Sequence, residues 1–310
     1  MCNLIHAEFY RYKHSRLFWI SVLAAFLSGI VYGLTVFRME VFDDMFVVPL
    51  FVVLAIFISL TIGREYSDGT IRNKIIAGKT KTVILMSRLF ISVAISVIMS
   101  FVFLLPCVLI AATVFVKIPA SVLLWTLLGF FMLNISWAVI FTFMTSLITN
   151  REISAVINLI LILGIMFGSY QLESFIGQPE FIEIEETSNV RMTSEEIKQV
   201  QEGSFDGSYF WETDENGTVT YYKTFELSKT KEPNPAYFGE SVRTVMQTVD
   251  NILPHGQINK YVSCLTYYIY EDVPYAEEYE VIERYPIYSL GLIVVVSGIG
   301  LLLFHKKDIK

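Results

Sequence analysis

MFVVPLFVVLAIFISLTI, residues 45–62, gives way at once to GREYSDGTIRNK, residues 63–74, and this change from apolar to polar decides how the chain is read. The first piece carries no charge, and the second is rich in helix-forming and turn residues. Five further uncharged stretches, each as long as the first or longer, run Leu17–Phe37, Leu89–Val116, Ile118–Asn150, Ile153–Leu172 and Ile287–Phe304. A bilayer core of roughly 30 Å takes about 20 apolar residues as a helix. Inside lipid the backbone must satisfy its own hydrogen bonds, and runs this long suit helices rather than the alternating strands of roughly 10 residues found in barrels. The pattern predicts an all-α polytopic membrane protein with six transmembrane helices.

Composition agrees: 54% of residues are hydrophobic, 15% aromatic and 17% charged, against about 25% charged in soluble domains. The net charge of -7 averages two unlike parts. Residues 173–285 carry 22 acidic and 8 basic side chains, and the remainder carries 15 basic and 8 acidic. Lys and Arg in short loops set orientation. With six spans, Arg11, Lys13, Arg16, the run from Arg64 to Arg88, Arg151, Lys306, Lys307 and Lys310 fall on one side, and only Arg38 and Lys117 occupy the two short loops opposite. A multi-pass protein of the cell membrane with both termini cytoplasmic is expected, and the acidic insert is then extracytoplasmic. The first apolar run, Leu17–Phe37, is longer than the roughly 7–15 residues of a typical signal core, so it is read as a span. Three cysteines on different sides imply no disulfide framework.

The expected organisation is a cytoplasmic interfacial helix over 1–16, transmembrane helices 1–5 over 17–172 with a cytoplasmic segment at 63–88, an acidic domain over 173–286, and transmembrane helix 6 with a basic tail over 287–310. Leu4, Ile5, Phe9 and Tyr12 share a face of the first helix. The stretches Leu89–Val116 and Ile118–Asn150 exceed one perpendicular crossing; Pro106 is a candidate kink in the first and Gly129 a candidate break in the second. The insert reads as a small mixed α/β domain. Thr193-Ser194-Glu195-Glu196 opens a short helix. Ser208–Glu212 and Thr218–Phe225 read as strands joined by Asp214-Glu215-Asn216-Gly217, and Pro235–Leu253 reads as a helix ending at Pro254-His255-Gly256.

Candidate chemistry is sparse. The six stretches contain no Asp, Glu, Lys or Arg, so the usual mark of an ion-coupled pathway is missing. Asn134, Asn158 and Gln171 read as interhelical hydrogen-bond partners. Gly78-Lys79-Thr80 ends like a phosphate-binding loop, but Asn73 stands where the first glycine belongs and no buried strand precedes it. No zinc spacing and no nucleophile elbow appears. No catalytic residue, no metal site and no cofactor is expected in this chain, and no nucleic-acid partner.

What remains is 63–88. As a basic loop it obeys the positive-inside rule and touches anionic membrane lipid. As a short helix capped near Ser67-Asp68 it presents Glu65, Arg72 and Lys74 to a cytosolic partner. Glu65, then Gly69-Thr70-Ile71-Arg72, then Ala77-Gly78-Lys79-Thr80 and Ser87-Arg88, follow one another between the second and third spans. Leu253-Pro254-His255-Gly256-Gln257 stands before the last span, and Phe304-His305-Lys306-Lys307-Asp308-Ile309-Lys310 closes the chain. In this order, over almost the full length, the sequence resembles the permease subunits of ABC-2 type exporters. It departs from them in having Ala77–Lys81 where a Pro-hydrophobic-Ser-Arg element is usual, and in its larger insert.

The resemblance implies a non-enzymatic permease that forms a translocation path as a homo- or heterodimer, exporting peptide, antibiotic or other amphipathic cargo. ATP and Mg are then bound by separate cytosolic ATPase subunits. Glu65, Asp68, Gly69, Thr70, Arg72 and Lys74 are the expected coupling residues, with Glu65 and Arg72 as charged contacts and Gly69 and Thr70 fixing the helix angle. Two other classes stay open on the residues: a membrane-bound peptide sensor or immunity protein that uses the acidic domain without transport, and an ion-coupled carrier.

Overall fold

The computed structural model describes residues 2–40, 42–148, 150–215, 217–270 and 282–306. Asn216 of the expected turn and Lys307–Lys310 of the tail lie outside the described residues. The chain divides into two compact units, Met1–Glu173 with Val245–Lys310, and Ser174–Thr244.

The first unit is helical. It opens with α1 (Cys2–Lys13) and α2 (Arg16–Met39), and a 3-10 turn at Asp44–Phe46 leads into α3 (Val48–Ser67). Then follow α4 (Thr70–Ile76), α5 (Lys81–Ile110), α6 (Ala112–Phe115), α7 (Ala120–Leu147) and α8 (Arg151–Ile176). Six helices are long and apolar enough to cross a membrane: α2, α3 with its leading turn, α5, α7, α8 and the last helix, Tyr285–Lys306. At 1.5 Å per residue they span about 30–45 Å. Pro49 sits in the first turn of α3, where its missing N–H costs nothing.

The two long apolar stretches resolve differently. α5 continues through Pro106 to Ile110, after which Ala111 interrupts the ladder and α6 uses up the remaining residues. α7 is unbroken, with Gly129 buried inside it. This glycine is a contact and not a break, since a Cβ there would meet the Tyr261 hydroxyl at 1.9 Å.

Close packing explains α2. Ala25, Gly29 and Gly33 lie buried at four-residue spacing; a Cβ on Gly29 would fall 2.1 Å from the Phe103 carbonyl oxygen, and one on Gly33 2.9 Å from Cys107 Cα. Small residues at this spacing let two membrane helices touch backbone to backbone, where dispersion replaces the hydrophobic drive that lipid does not supply. Farther along, Trp137 of α7 stacks on Phe141 and packs against Phe51 of α3. Asn158 of α8 donates to Ser59 of α3 at 2.8 Å and to Thr145 of α7 at 3.0 Å, a buried polar tie among three helices. Asn134 bonds its own helix at the Phe130 carbonyl, and Gln171 is exposed, so neither ties two helices in the way expected.

The second unit carries a three-stranded antiparallel sheet of order β1-β3-β2, made of β1 (Phe181–Arg191), β2 (Tyr209–Thr213) and β3 (Val219–Pro233). Phe181 pairs with Pro233 and Arg191 with Tyr222 across β1 and β3, with one irregularity between Glu186 and Thr187. Strand β1 is absent from the sequence reading, and β3 extends past the expected end at Phe225 to Pro233. The β1 sequence is rich in Glu, a device of edge strands that blocks further pairing and reads in sequence as a solvated loop. Between β1 and β2 lies α9 (Ser194–Gln201), opened by a capping box between Thr193 and Glu196.

After β3 come α10 (Glu240–Ile252), α11 (Pro254–Tyr267) and α12 (Tyr285–Lys306). The acidic domain expected over 173–286 is thus shorter, because residues from Val245 onward belong to the helical unit. The cause is α11, whose Ile258, Tyr261, Cys264 and Leu265 are buried in the core of that unit.

Candidate functional site

Where the apolar sequence ends, α3 ends. Asp68 closes it with its N–H on the Arg64 carbonyl at 2.9 Å, and Gly69 adopts φ 67°, the left-handed region that glycine enters without steric penalty. Gly69 is the N-cap of α4, and Thr70 is its first residue. The cap therefore lies beyond Ser67-Asp68, because α3 keeps its ladder to Ser67 and the reversal needs a positive φ.

Glu65, 1% exposed, is the hub of this corner. One carboxylate oxygen accepts from Arg88 Nε at 3.1 Å and Nη2 at 2.9 Å; the other accepts from Lys74 Nζ at 3.0 Å and from Arg11 Nη2. Lys74 also donates to Glu8, itself buried. The Arg88 guanidinium lies 5.1 Å from the Tyr66 ring centre and 5.8 Å from that of Phe304. Tyr66 in turn donates to the Ser146 carbonyl at 2.6 Å. Three cations and two carboxylates thus join α1, α3, α4 and α5, with α7 and α12 attached through aromatic and hydrogen-bond contacts. Burial pushes the Glu8 carboxyl above its ordinary range and the Glu65 carboxylate adds to the rise, while Lys74 and Arg11 pull it back.

Glu65 and Lys74 therefore do not face a partner as expected. A buried carboxylate needs several donors to offset its desolvation, and α1, α4 and α5 supply them. Arg72 and Asn73 are exposed, as is Ile76, an apolar side chain 75% open to the surroundings, while Ile71 is buried beneath them. Asp68 is exposed and pairs with Arg64 at 3.4 Å across one helical turn. Of the six expected residues, the fold brings Glu65 and Lys74 together inside, leaves Asp68 and Arg72 outside, and uses Gly69 and Thr70 to turn the chain.

Glu8 and Arg11 are absent from the expected set. Their spacing of three places them on one helix face, the signal that could have found them. The buried face of α1 carries Glu8 and Tyr12, with Ile5 packed against the core and Phe9 turned outward. Gly78-Lys79-Thr80 is a corner between helices: Gly78 has φ 80°, its N–H bonds the Ile75 carbonyl, and Thr80 caps α5 by accepting from Val83 N–H at 3.3 Å. No strand precedes it among the described residues, which removes the phosphate-loop reading.

A second polar cluster sits at the other end of α3. Asp44 Oδ2 lies 3.1 Å from His255 Nε2 and accepts from the Tyr170 hydroxyl at 3.0 Å. Ser289 of α12 donates to Gln257 Oε1 at 2.6 Å. The Leu253-Pro254-His255-Gly256-Gln257 element is thus the tight start of α11: Pro254 occupies its first turn, and Gly256 packs so closely on Asp250 that a Cβ would meet its carboxylate at 2.3 Å.

No family model matches the chain, and no curated protein does either.

Proposed function

We propose that this chain is the membrane subunit of an exporter driven by separate cytosolic ATPase subunits, working as a dimer of permeases. The observation that carries the reading is the buried ion cluster at Glu65. A force applied to α4 reaches α1, α3 and α5 through hydrogen-bonded charges, so a motor gripping this corner would move two spans and the N-terminal helix as one body. The six uncharged stretches support the same view, because they offer no charged relay for a coupling ion. On this proposal Arg72, Asn73 and Ile76 make the motor contact, and Glu65 with Lys74 acts as the internal strut behind it. ATP and Mg belong to the partner, the Arg11 to Arg88 end faces the cytoplasm, and the acidic unit lies outside.

The test is affinity purification of the tagged chain from its native membranes in mild detergent, with mass spectrometry and an ATP hydrolysis assay. A cytosolic ATPase should co-purify in near-stoichiometric amount, and its recovery should fall at least tenfold in an Arg72→Glu, Ile76→Ser double variant that still folds. Recovery of the folded chain without any ATPase contradicts the exporter reading and favours a peptide-sensing role for the acidic unit.

A further inference from the structure

A cavity of about 160 Å³ lies among α2, α5, α7 and α11. Protein interiors are packed almost without voids larger than a water molecule, so an opening of this size needs an explanation. Its wall is aromatic: Tyr32 stacks on Phe103 at 5.7 Å, and Phe103 stacks on Phe130 at 5.8 Å. No Asp, Glu, Lys, Arg or His lines it among the described residues. Two polar atoms do belong to lining residues, the Thr126 and Tyr261 hydroxyl oxygens, both buried and both without a hydrogen-bond partner among the described residues. Tyr261 is 5% exposed and presses on Gly129, whose missing side chain makes its room.

Orphaned buried hydroxyls cost stability, and native folds keep few of them. One water could serve both, but a water occupies about 30 Å³ and would leave most of the space empty. An apolar cavity of about 150 Å³ in another protein admits benzene, which sets the scale. Charge is excluded because nothing in the wall would neutralise it. Burial pushes the Tyr261 phenol upward, with Tyr285 adding to the rise, so the hydroxyl stays protonated and free to donate.

We propose that this cavity binds a neutral, ring-sized apolar group bearing one hydroxyl or carbonyl, which lies against the Phe103 and Phe130 rings and hydrogen-bonds to Thr126 and Tyr261. The site does not depend on the exporter reading. The ring can belong to a small free phenol or to the head of a membrane lipid with an apolar tail; the chemistry of recognition is the same.

The experiment uses the full chain in phosphatidylcholine nanodiscs, with fluorine NMR of 4-fluorophenol and fluorobenzene against empty nanodiscs. Saturable binding of both is expected, with 4-fluorophenol at least tenfold tighter. Thr126→Val together with Tyr261→Phe should bring 4-fluorophenol down to the fluorobenzene affinity while leaving fluorobenzene binding unchanged, which also shows that the variant folds. Absence of saturable binding over empty nanodiscs overturns the proposal, and so does a preference for 4-fluorophenol that survives both substitutions. Protein taken from native membranes supplies the second arm. A ring-headed lipid that co-purifies and is displaced by 4-fluorophenol identifies the lipid source, and 4-fluorophenol binding without such a lipid identifies the free one.

Discussion

Replacing Glu65 with Gln should be among the most damaging single changes in the chain. Glu65 accepts two bonds from Arg88, one from Lys74 and one from Arg11, and the Arg88 side chain has no exposed surface at all. Without the carboxylate, three cations share the single charge of Glu8, and Arg88 stays buried with no counter-ion. Breaking a buried pair by removing one member costs about 3–5 kcal/mol. Solution exposure of Arg11, 44% in its side chain, means that its share is small; Arg88 and Lys74 carry the cost. For a chain of this size such a loss corresponds to a drop of roughly 10 °C in midpoint. The fold contains its own reporters, because Cys107 and Cys264 are both buried and free. A thiol-reactive dye in detergent, on a Cys2→Ser background, reads unfolding as these two become accessible. Removing both charges in Glu65→Leu, Arg88→Met should recover at least about 2 kcal/mol, since an apolar pair of similar volume replaces a buried ion pair at little cost. A Glu65→Gln midpoint within about 2 °C of the parent, the scale of an exposed ion pair, would refute the buried-hub reasoning.

Three further outcomes follow from the geometry. Gly29→Ala sets a Cβ 2.1 Å from the Phe103 carbonyl and should cost about 1–3 kcal/mol by overpacking, whereas Gly164→Ala meets nothing within 4 Å and should gain about 0.5–1 kcal/mol from helix propensity; thermal unfolding of the two separates packing from propensity. Gly129→Ala should disturb α11 specifically, seen as faster hydrogen exchange over 254–267 and earlier dye labelling of Cys264. In the second unit, the Lys223 ammonium and the Thr193 backbone N–H hold the Glu196 carboxyl down at about 2, against an ordinary 4.5. A depressed carboxyl stabilises the fold above its ordinary value and loses that contribution as pH falls through the folded value, so exchange protection of α9 should drop between pH 4.5 and 2, and Glu196→Gln should remove that dependence.

The spans were legible because lipid imposes one rule on every residue they contain: an uncharged run of about 20 residues has few other fates. The second strand of the hairpin and the helix after Thr193 were also open to reading, since capping residues and alternating aromatic positions act locally. Glu65 was legible as important but not as buried. A carboxylate beside Arg64 and Asp68 in a basic loop looks solvated, and only the fold brings the distant Arg11 to meet it. Tyr261 against Gly129, and His255 beside Asp44, are equally nonlocal, each depending on α11 folding back on the spans. Strand β1 was missed because its acidic sequence masks a β pattern that pairing with β3 stabilises.

The most direct test of the central claim, that α4 is the corner gripped by a cytosolic motor and backed by Glu65, is photo-crosslinking in intact cells from a photoreactive residue at position 76. The account predicts one dominant adduct with a cytosolic ATPase, weakened when Arg72 is changed to Glu and absent when the photoreactive residue stands at buried position 71. Adducts only with lipid, or equal ATPase adducts from any exposed loop position, would contradict it.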